Sequence, residues 1–255
     1  MSTAREVVSV RDLRKSYGAT RAVDGVSFDV RGGEVFGIVG PNGAGKTTTV
    51  ECLIGLRGPD SGSVRVLGLD PRVNARELRL RSGVQLQGAA LPEGIRVWEA
   101  LALFASLYPR PADWRELLRD WGLEEKRNAR FSSLSGGQRQ RLFVALALVN
   151  RPEIVFLDEL TSGLDPQARR ASWDMVDGLR ARGTTVVLVT HAMEEAEALC
   201  DRVAIIDHGQ VVALDTPRRL IDSLAAPGGA PARLRSGRVS LEDVFLSLTG
   251  RGIRT

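Results

Sequence analysis

The apolar positions of this chain follow two periods in turn, and the switches between them outline its elements. Residues 5–30 read as β-structure. Val8 and Val10 alternate with Val7, Ser9 and Arg11, and Val26, Phe28 and Val30 alternate with the charged Asp29 and Arg31. Arg31-Gly32-Gly33 marks a turn, and the apolar run Val35–Val39 predicts the next strand. A helix is expected from about 46 to 56. After a turn at 58–62, Val64, Val66 and Leu67 predict a short strand, 76–81 a charged helix, and 83–87 a short apolar strand ending in glutamine.

From Leu91 the pattern becomes helical. Residues 97–107 form an apolar-rich helix that Pro109 and Pro111 break. Residues 113–121 predict a second, amphipathic helix with Trp114, Leu117, Leu118 and Trp121 on one face, and 122–131 are polar. Leu134-Ser135-Gly136-Gly137-Gln138 opens a further helix, with Ser135 as N-cap, that runs through Leu142, Val144, Ala145 and Leu148 and ends before Pro152. Residues 154–157 are continuously apolar, as expected of a buried parallel strand. Asp165 and Pro166 start another helix by the N-cap and first-turn rules. Residues 184–189 predict a buried strand that ends at Thr190-His191, before a helix with Glu194, Glu195 and Glu197 near its start. His208-Gly209 sits between two apolar runs as the turn of a hairpin. Thr216-Pro217 begins a helix, 225–231 is an Ala/Pro/Gly linker, and 241–248 carries a helical face of Leu241, Val244, Phe245 and Leu248.

Composition changes this picture little. The 255 residues can bury a real core, as one large domain or as one domain with a subdomain. The longest apolar runs, 100–107 and 144–149, fall far short of the roughly 18–20 residues of a membrane span. The N-terminal stretch lacks an apolar signal core, so no secretion signal is expected. Cys52 and Cys200 are isolated and fit reduced, buried thiols. The net charge is +4, and lysine occurs only at 15, 46 and 126. The many arginines are dispersed, which fits a compositional bias better than a nucleic-acid or lipid surface.

The chemistry concentrates where strands end. Gly40-Pro41-Asn42-Gly43-Ala44-Gly45-Lys46-Thr47 follows one apolar run and precedes a helix, the context that a Walker A loop requires. Its glycines let successive N–H groups face one concavity, and the helix N-terminus behind adds positive potential. Lys46 supplies a full charge for outer phosphates and Thr47 a hydroxyl for Mg²⁺. Asp158-Glu159 follows the apolar run 154–157, at the strand end where ligands of open α/β sheets bind. Asp158 can hold Mg²⁺ directly or through water, and Glu159 can polarise an attacking water. Two glycines after Ser135 make a second possible phosphate cradle. His191 stands at a third strand end. Tyr17, placed in the connection 15–18, offers an aromatic face to a base. On local evidence Gln87 reads as an ordinary loop residue.

Taken together, these motifs resemble the ATP-binding subunit of ABC transporters over roughly residues 7–217. Leu134–Gln138 matches the signature sequence of that family, and the order of phosphate loop, glutamine, signature, Asp-Glu strand and histidine is the family's. The resemblance implies an α/β fold: a P-loop NTPase core, mostly parallel, with an N-terminal antiparallel β-subdomain and an α-helical subdomain inserted at about 90–150. On that reading 1–220 form the ATPase domain, and 221–255 a linker and short helical tail.

The resemblance also implies roles. Tyr17 stacks on adenine, and Gly40 to Thr47, with Thr48, hold the phosphates. Thr47, Asp158 and Gln87 serve Mg²⁺. Gln87 also senses the attacking water and links the site to the membrane subunit, with Gln85 a rival. Glu159 is the catalytic base and His191 the γ-phosphate switch. Ser135, Gly137 and Gln138 meet the ATP held by the opposite subunit, and Asp165 belongs to the loop joining the two active sites. The implied partners are ATP with Mg²⁺, a second copy of the chain head to tail, and a separate transmembrane permease. The implied place is the cytoplasmic face of the membrane, as a peripheral protein. Leu160 departs from the proline that most of the family carries after the acidic pair. The stretch 83–93 and the closing Leu241-Glu242-Asp243-Val244-Phe245 are similar to ATPases of bacterial drug and antibiotic exporters of the daunorubicin-resistance type. The alternative is a soluble ABC-type ATPase acting on nucleic acid or ribosomes. Against it, the chain has one such domain and its insert has no sustained heptads, and no nucleic-acid partner is expected. The intact Glu159 and His191 argue against a scaffold that binds ATP without turnover.

Overall fold

The computed structural model describes residues 5–225 and 239–250. In chain order the elements are β1 (Glu6–Tyr17), β2 (Thr20–Arg31), β3 (Val35–Val39), α1 (Lys46–Leu53), β4 (Ser61–Val66) and α2 (Ala75–Arg81). Then come β5 (Ser82–Gln85), α3 (Val97–Ser106), α4 (Trp114–Asp120), α5 (Gly136–Ala147), β6 (Ile154–Asp158) and α6 (Pro166–Ala181). The last are β7 (Thr185–Thr190), α7 (Met193–Leu199), β8 (Arg202–Asp207), β9 (Gln210–Asp215), α8 (Pro217–Ala225) and α9 (Leu241–Thr249). They fall into two compact units, Met1–Ala75 with Val187–Thr255, and Arg76–Val186.

In the first unit β2, β1 and β4 form an antiparallel sheet in that order. Its buried face is Val8, Val10, Leu13, Val26, Phe28, Val30, Val64 and Val66. The simple alternation read from the sequence breaks at Asp12, whose φ of 47° marks a bulge, so that Leu13 takes the next inward place. Every residue of β3 is buried, and β3 runs parallel to β8, which pairs antiparallel with β9. Under these strands Arg202 bonds Asp29 Oδ2 at 3.0 Å and Glu34 Oε1 at 3.2 Å, with its guanidinium 5.5 Å from the Phe36 ring. Burial pushes the Glu34 carboxyl above its ordinary pKa, against the opposing pull of the Arg31 N–H and the Arg202 charge.

Helix α1 stops at Leu53, three residues short of the sequence expectation. The Leu56 N–H bonds Glu51 O at 2.9 Å and the Gly55 N–H bonds Cys52 O at 3.3 Å, a Schellman closure around Gly55. Cys52 and Cys200 are free and buried, as expected, and burial pushes the Cys52 thiol up to about 11. Helix α9 packs through Leu241, Val244 and Phe245, but Leu248, expected on the same face, is 48% exposed. Apart from Ala225 at the end of α8, the expected linker at 225–231 lies outside the described residues.

In the second unit β5 and β6 are parallel, with Gln85 opposite Leu157. The expected strand 83–87 is therefore shifted. β5 ends at Gln85 because a turn takes over, in which Ala89 N–H bonds Leu86 O at 3.1 Å. Helix α4 buries Leu117, Leu118 and Trp121 as predicted. Trp114, expected on that face, is half-buried, with its ring centroid 6.2 Å from that of Trp98 and the Arg115 guanidinium 4.3 Å from its ring. The polar stretch 122–131 has more order than its composition suggests, with single 3₁₀ turns at Glu124–Lys126 and Phe131–Ser133 and a fully buried Leu123. Among the described residues no helix is long and apolar enough to cross a membrane.

Candidate nucleotide site

The phosphate loop leaves the C-terminal end of β3 and enters α1 directly. Two of its glycines are sterically required. At Gly45 φ is +100°, and a Cβ would stand 2.1 Å from Ala22 O; at Gly40 φ is +154°, and a Cβ would stand 2.1 Å from Ile206 O. The loop is tied to the β8–β9 hairpin: Gly209 N–H bonds Ala44 O at 2.9 Å, and Gly209 O accepts the Asp24 N–H at 2.8 Å. That hairpin turns at His208 and Gly209 with φ of 47° and 75°, the paired positive values of a type I′ turn. The hairpin was predicted; its tie to the phosphate loop is a non-local contact that no local pattern announces.

Lys46 is buried, and its Nζ donates to Gly40 O at 2.8 Å and Pro41 O at 2.9 Å, across the mouth of the loop. No acidic residue sits in the first turn of α1, so nothing there offsets the positive end of the helix. Thr47 is exposed, Thr48 half-buried, and Thr49 bonds back to Gly45 O at 2.9 Å. Asn42 and Gly43 are exposed at the rim. In the same unit Tyr17 proves to be the last residue of β1, paired with Thr20, rather than a loop residue, and it is 43% exposed. His191 follows the end of β7 and is half-buried, with α7 beginning two residues on.

In the second unit Asp158 is the buried last residue of β6, and Glu159 follows it with a φ of 54°. The left-handed backbone of a non-glycine residue costs about 1–2 kcal/mol. A turn, Ser162 N–H to Glu159 O at 3.2 Å, holds the residue there, and buried Leu160 occupies its second position. Gln87 Nε2 donates to Glu159 Oε2 at 3.3 Å. Gln85 is buried on β5 and bonds the carbonyl of Leu86 at 3.1 Å. Of the two rival glutamines, Gln87 is the one with a hydrogen bond to Glu159.

Helix α5 starts in a full capping box: Ser135 Oγ accepts the Gln138 N–H at 3.3 Å, and Gln138 Oε1 accepts the Ser135 N–H at 3.0 Å. Asp165 caps α6 by accepting the N–H groups of Gln167 and Ala168, both at 2.9 Å. The two helix starts share a cavity of about 410 Å³, walled by Ser135, Gly136, Gly137, Gln138 and Asp165 among others. Gly137 lets the helices approach, since a Cβ there would lie 3.1 Å from the Ala168 methyl.

A buried lysine spanning the mouth of a glycine loop, at the start of a helix behind a buried strand, serves the phosphates of a nucleotide. The class is that of α/β phosphate-loop ATP-binding proteins. Comparison with known proteins narrows it. The family described as ABC transporter matches residues 23–162. The Nod factor export ATP-binding protein I of Ralstonia nicotianae is 44% identical over 220 residues, which is 84% of this chain and 68% of that protein. The protein of the same name from Burkholderia orbicola is 42% identical over 239 residues, 89% of this chain and 79% of its own. A solved ATP-binding subunit of an ABC transporter superposes with a TM-score of 0.81 at 29% identity, over 95% of this chain and 99% of that one. A bacterial ABC transporter cassette solved as a dimer superposes with a TM-score of 0.73 at 27% identity, over 82% and 98%. The chain belongs to the ABC transporter family, as an ATP-binding and ATP-hydrolysing subunit.

Proposed function

We propose that this subunit drives export of a small compound, such as a drug or other small hydrophobic molecule, through a separate transmembrane permease. The names of its export relatives support that reading. In it, the ATPase domain spans 1–220 with a helical subdomain at about 90–150, and two copies associate head to tail on the cytoplasmic face of the membrane. Tyr17 stacks on the base. The loop from Gly40 to Thr48 wraps the phosphates, with Lys46 withdrawn from its two carbonyl partners to meet their charge.

Glu159 orients and polarises the attacking water, and Gln87 holds the carboxylate in place; the 3.3 Å contact between them is the observation that carries this assignment. His191 meets the γ-phosphate from the end of β7. Ser135, Gly137 and Gln138 receive the phosphate presented by the second copy, and Asp165 lies beside them. Oxygen donors suit Mg²⁺, and Thr47, Asp158 and Gln87 provide them. Among the described residues no group of three His, Cys, Asp or Glu side chains forms a metal site by itself, so the remaining ligands of this ion would be phosphate and water. The ion would neutralise charge that develops on the phosphoryl oxygens.

The test is a pull-down of the Glu159→Gln protein with Mg-ATP from a membrane extract. This variant should lose hydrolysis by about 100-fold or more while still binding ATP. A multi-span membrane protein that co-purifies supports the transport reading. Ribosomes or nucleic acid without one overturn it.

A further inference from the structure

Tyr17 stands inside a more elaborate setting than a stacking platform alone requires. Lys15 Nζ lies 5.8 Å from its ring centroid, and the Arg57 guanidinium lies 5.9 Å from it. Each cation is itself fixed. Lys15 donates to Asp60 Oδ1 at 2.7 Å, while Asp60 Oδ2 accepts the Ser16 N–H at 2.7 Å and the Asp60 N–H bonds Arg14 O at 2.8 Å. Arg57 Nε donates to Glu51 Oε2 at 3.2 Å, and its backbone N–H bonds Glu51 O at 3.1 Å. Glu51 lies on α1, the helix that begins at Lys46. The bond to Asp60 raises the Lys15 pKa, and the same bond lowers that of Asp60, so the pair is ionised through the neutral range.

A cation near an aromatic face is attracted by the ring quadrupole, and the attraction fixes the ring as much as the cation. A side chain already held in its bound orientation loses less freedom when a ligand arrives. We propose that Lys15 and Arg57 are positioning residues for the nucleotide: they hold the Tyr17 ring in its base-stacking orientation, and Arg57 couples that ring through Glu51 to the helix that follows the phosphate loop. The proposal rests on the reading of Tyr17 as the base platform. Its effect falls on ATP binding, because Tyr17 meets the base and not the reacting phosphate.

The test uses steady-state ATP hydrolysis by the full chain. Lys15→Gln with Arg57→Gln removes both charges and keeps much of each stem. KM for ATP should rise about three- to fivefold with kcat little changed. Arg57→Lys, which restores a cation, should recover part of the loss. In a Tyr17→Ala background the Lys15 and Arg57 substitutions should add nothing. If Tyr17→Ala itself leaves KM unchanged, the platform reading fails and this proposal with it. If Tyr17→Ala raises KM but the cation substitutions do not, or act equally without the ring, the platform stands and the positioning role is overturned. Thermal unfolding of each variant separates these effects from loss of fold.

Discussion

At the scale of single residues, the phosphate loop separates space from conformation. Gly43 and Gly45 both have positive φ, +80° and +100°, yet a Cβ at Gly43 meets nothing within 4 Å, while one at Gly45 meets Ala22 O at 2.1 Å. Gly43→Ala should therefore cost about 1 kcal/mol, the price of the left-handed backbone. Gly45→Ala must also push the loop off β2, and should lower stability by at least ~2 kcal/mol. Thermal unfolding of the two variants without nucleotide ranks them.

Arg202 offers a second test. Arg202→Met leaves the Glu34 carboxylate buried without this cation, at a cost of about 3 kcal/mol. Burial already raises the Glu34 pKa, and losing Arg202 raises it further. A carboxyl with a raised folded-state pKa binds its proton more tightly when folded, so stability falls as pH rises through the window between the unfolded and folded values. The variant's deficit should thus shrink on acidification, measured by unfolding at pH 5 and pH 8, and Glu34→Gln in the same chain should remove that pH dependence.

At the scale of elements, the two helices that start at the shared cavity differ in how they are capped. Asp165 satisfies two N–H groups of α6 at 2.9 Å, whereas Ser135 satisfies one of α5 at 3.3 Å. Asp165→Ala should cost about 1 kcal/mol, and Ser135→Ala about 0.5 kcal/mol. If Ser135 also contacts phosphate, its loss should depress hydrolysis far beyond that small change in stability, a comparison made on the same preparations by unfolding and turnover. Both caps were readable from the sequence, because capping is local chemistry written in a few adjacent residues. The buried strands were readable too: β3 is an apolar run, and β6 is one that ends in Asp158. What escaped prediction depends on geometry. The end of α1 is set by a closure around Gly55, and the inward turn of Leu13 by a bulge at Asp12.

At the scale of the whole molecule, the question is what the cavity at Ser135 and Asp165 receives. It is walled from residues 135–172, carries two capped helix starts, and is open to a ligand arriving from outside. If that ligand is the γ-phosphate of ATP carried by a second copy, association must depend on nucleotide. Glu159→Gln protein should then sediment as a dimer with Mg-ATP and as a monomer with ADP or without Mg²⁺. Ser135→Arg, which fills the cavity with a large exposed side chain and leaves the phosphate loop intact, should bind ATP with unchanged affinity and stay monomeric. Because each such interface would close over two nucleotides at once, a mixed dimer of one Glu159→Gln chain and one chain carrying both Glu159→Gln and Ser135→Arg would hold at most one complete site, and its stability should be well below that of the Glu159→Gln homodimer. Dimers that form equally well with ADP, or that tolerate Ser135→Arg, would instead place the contact elsewhere on the surface and leave the cavity without a partner phosphate.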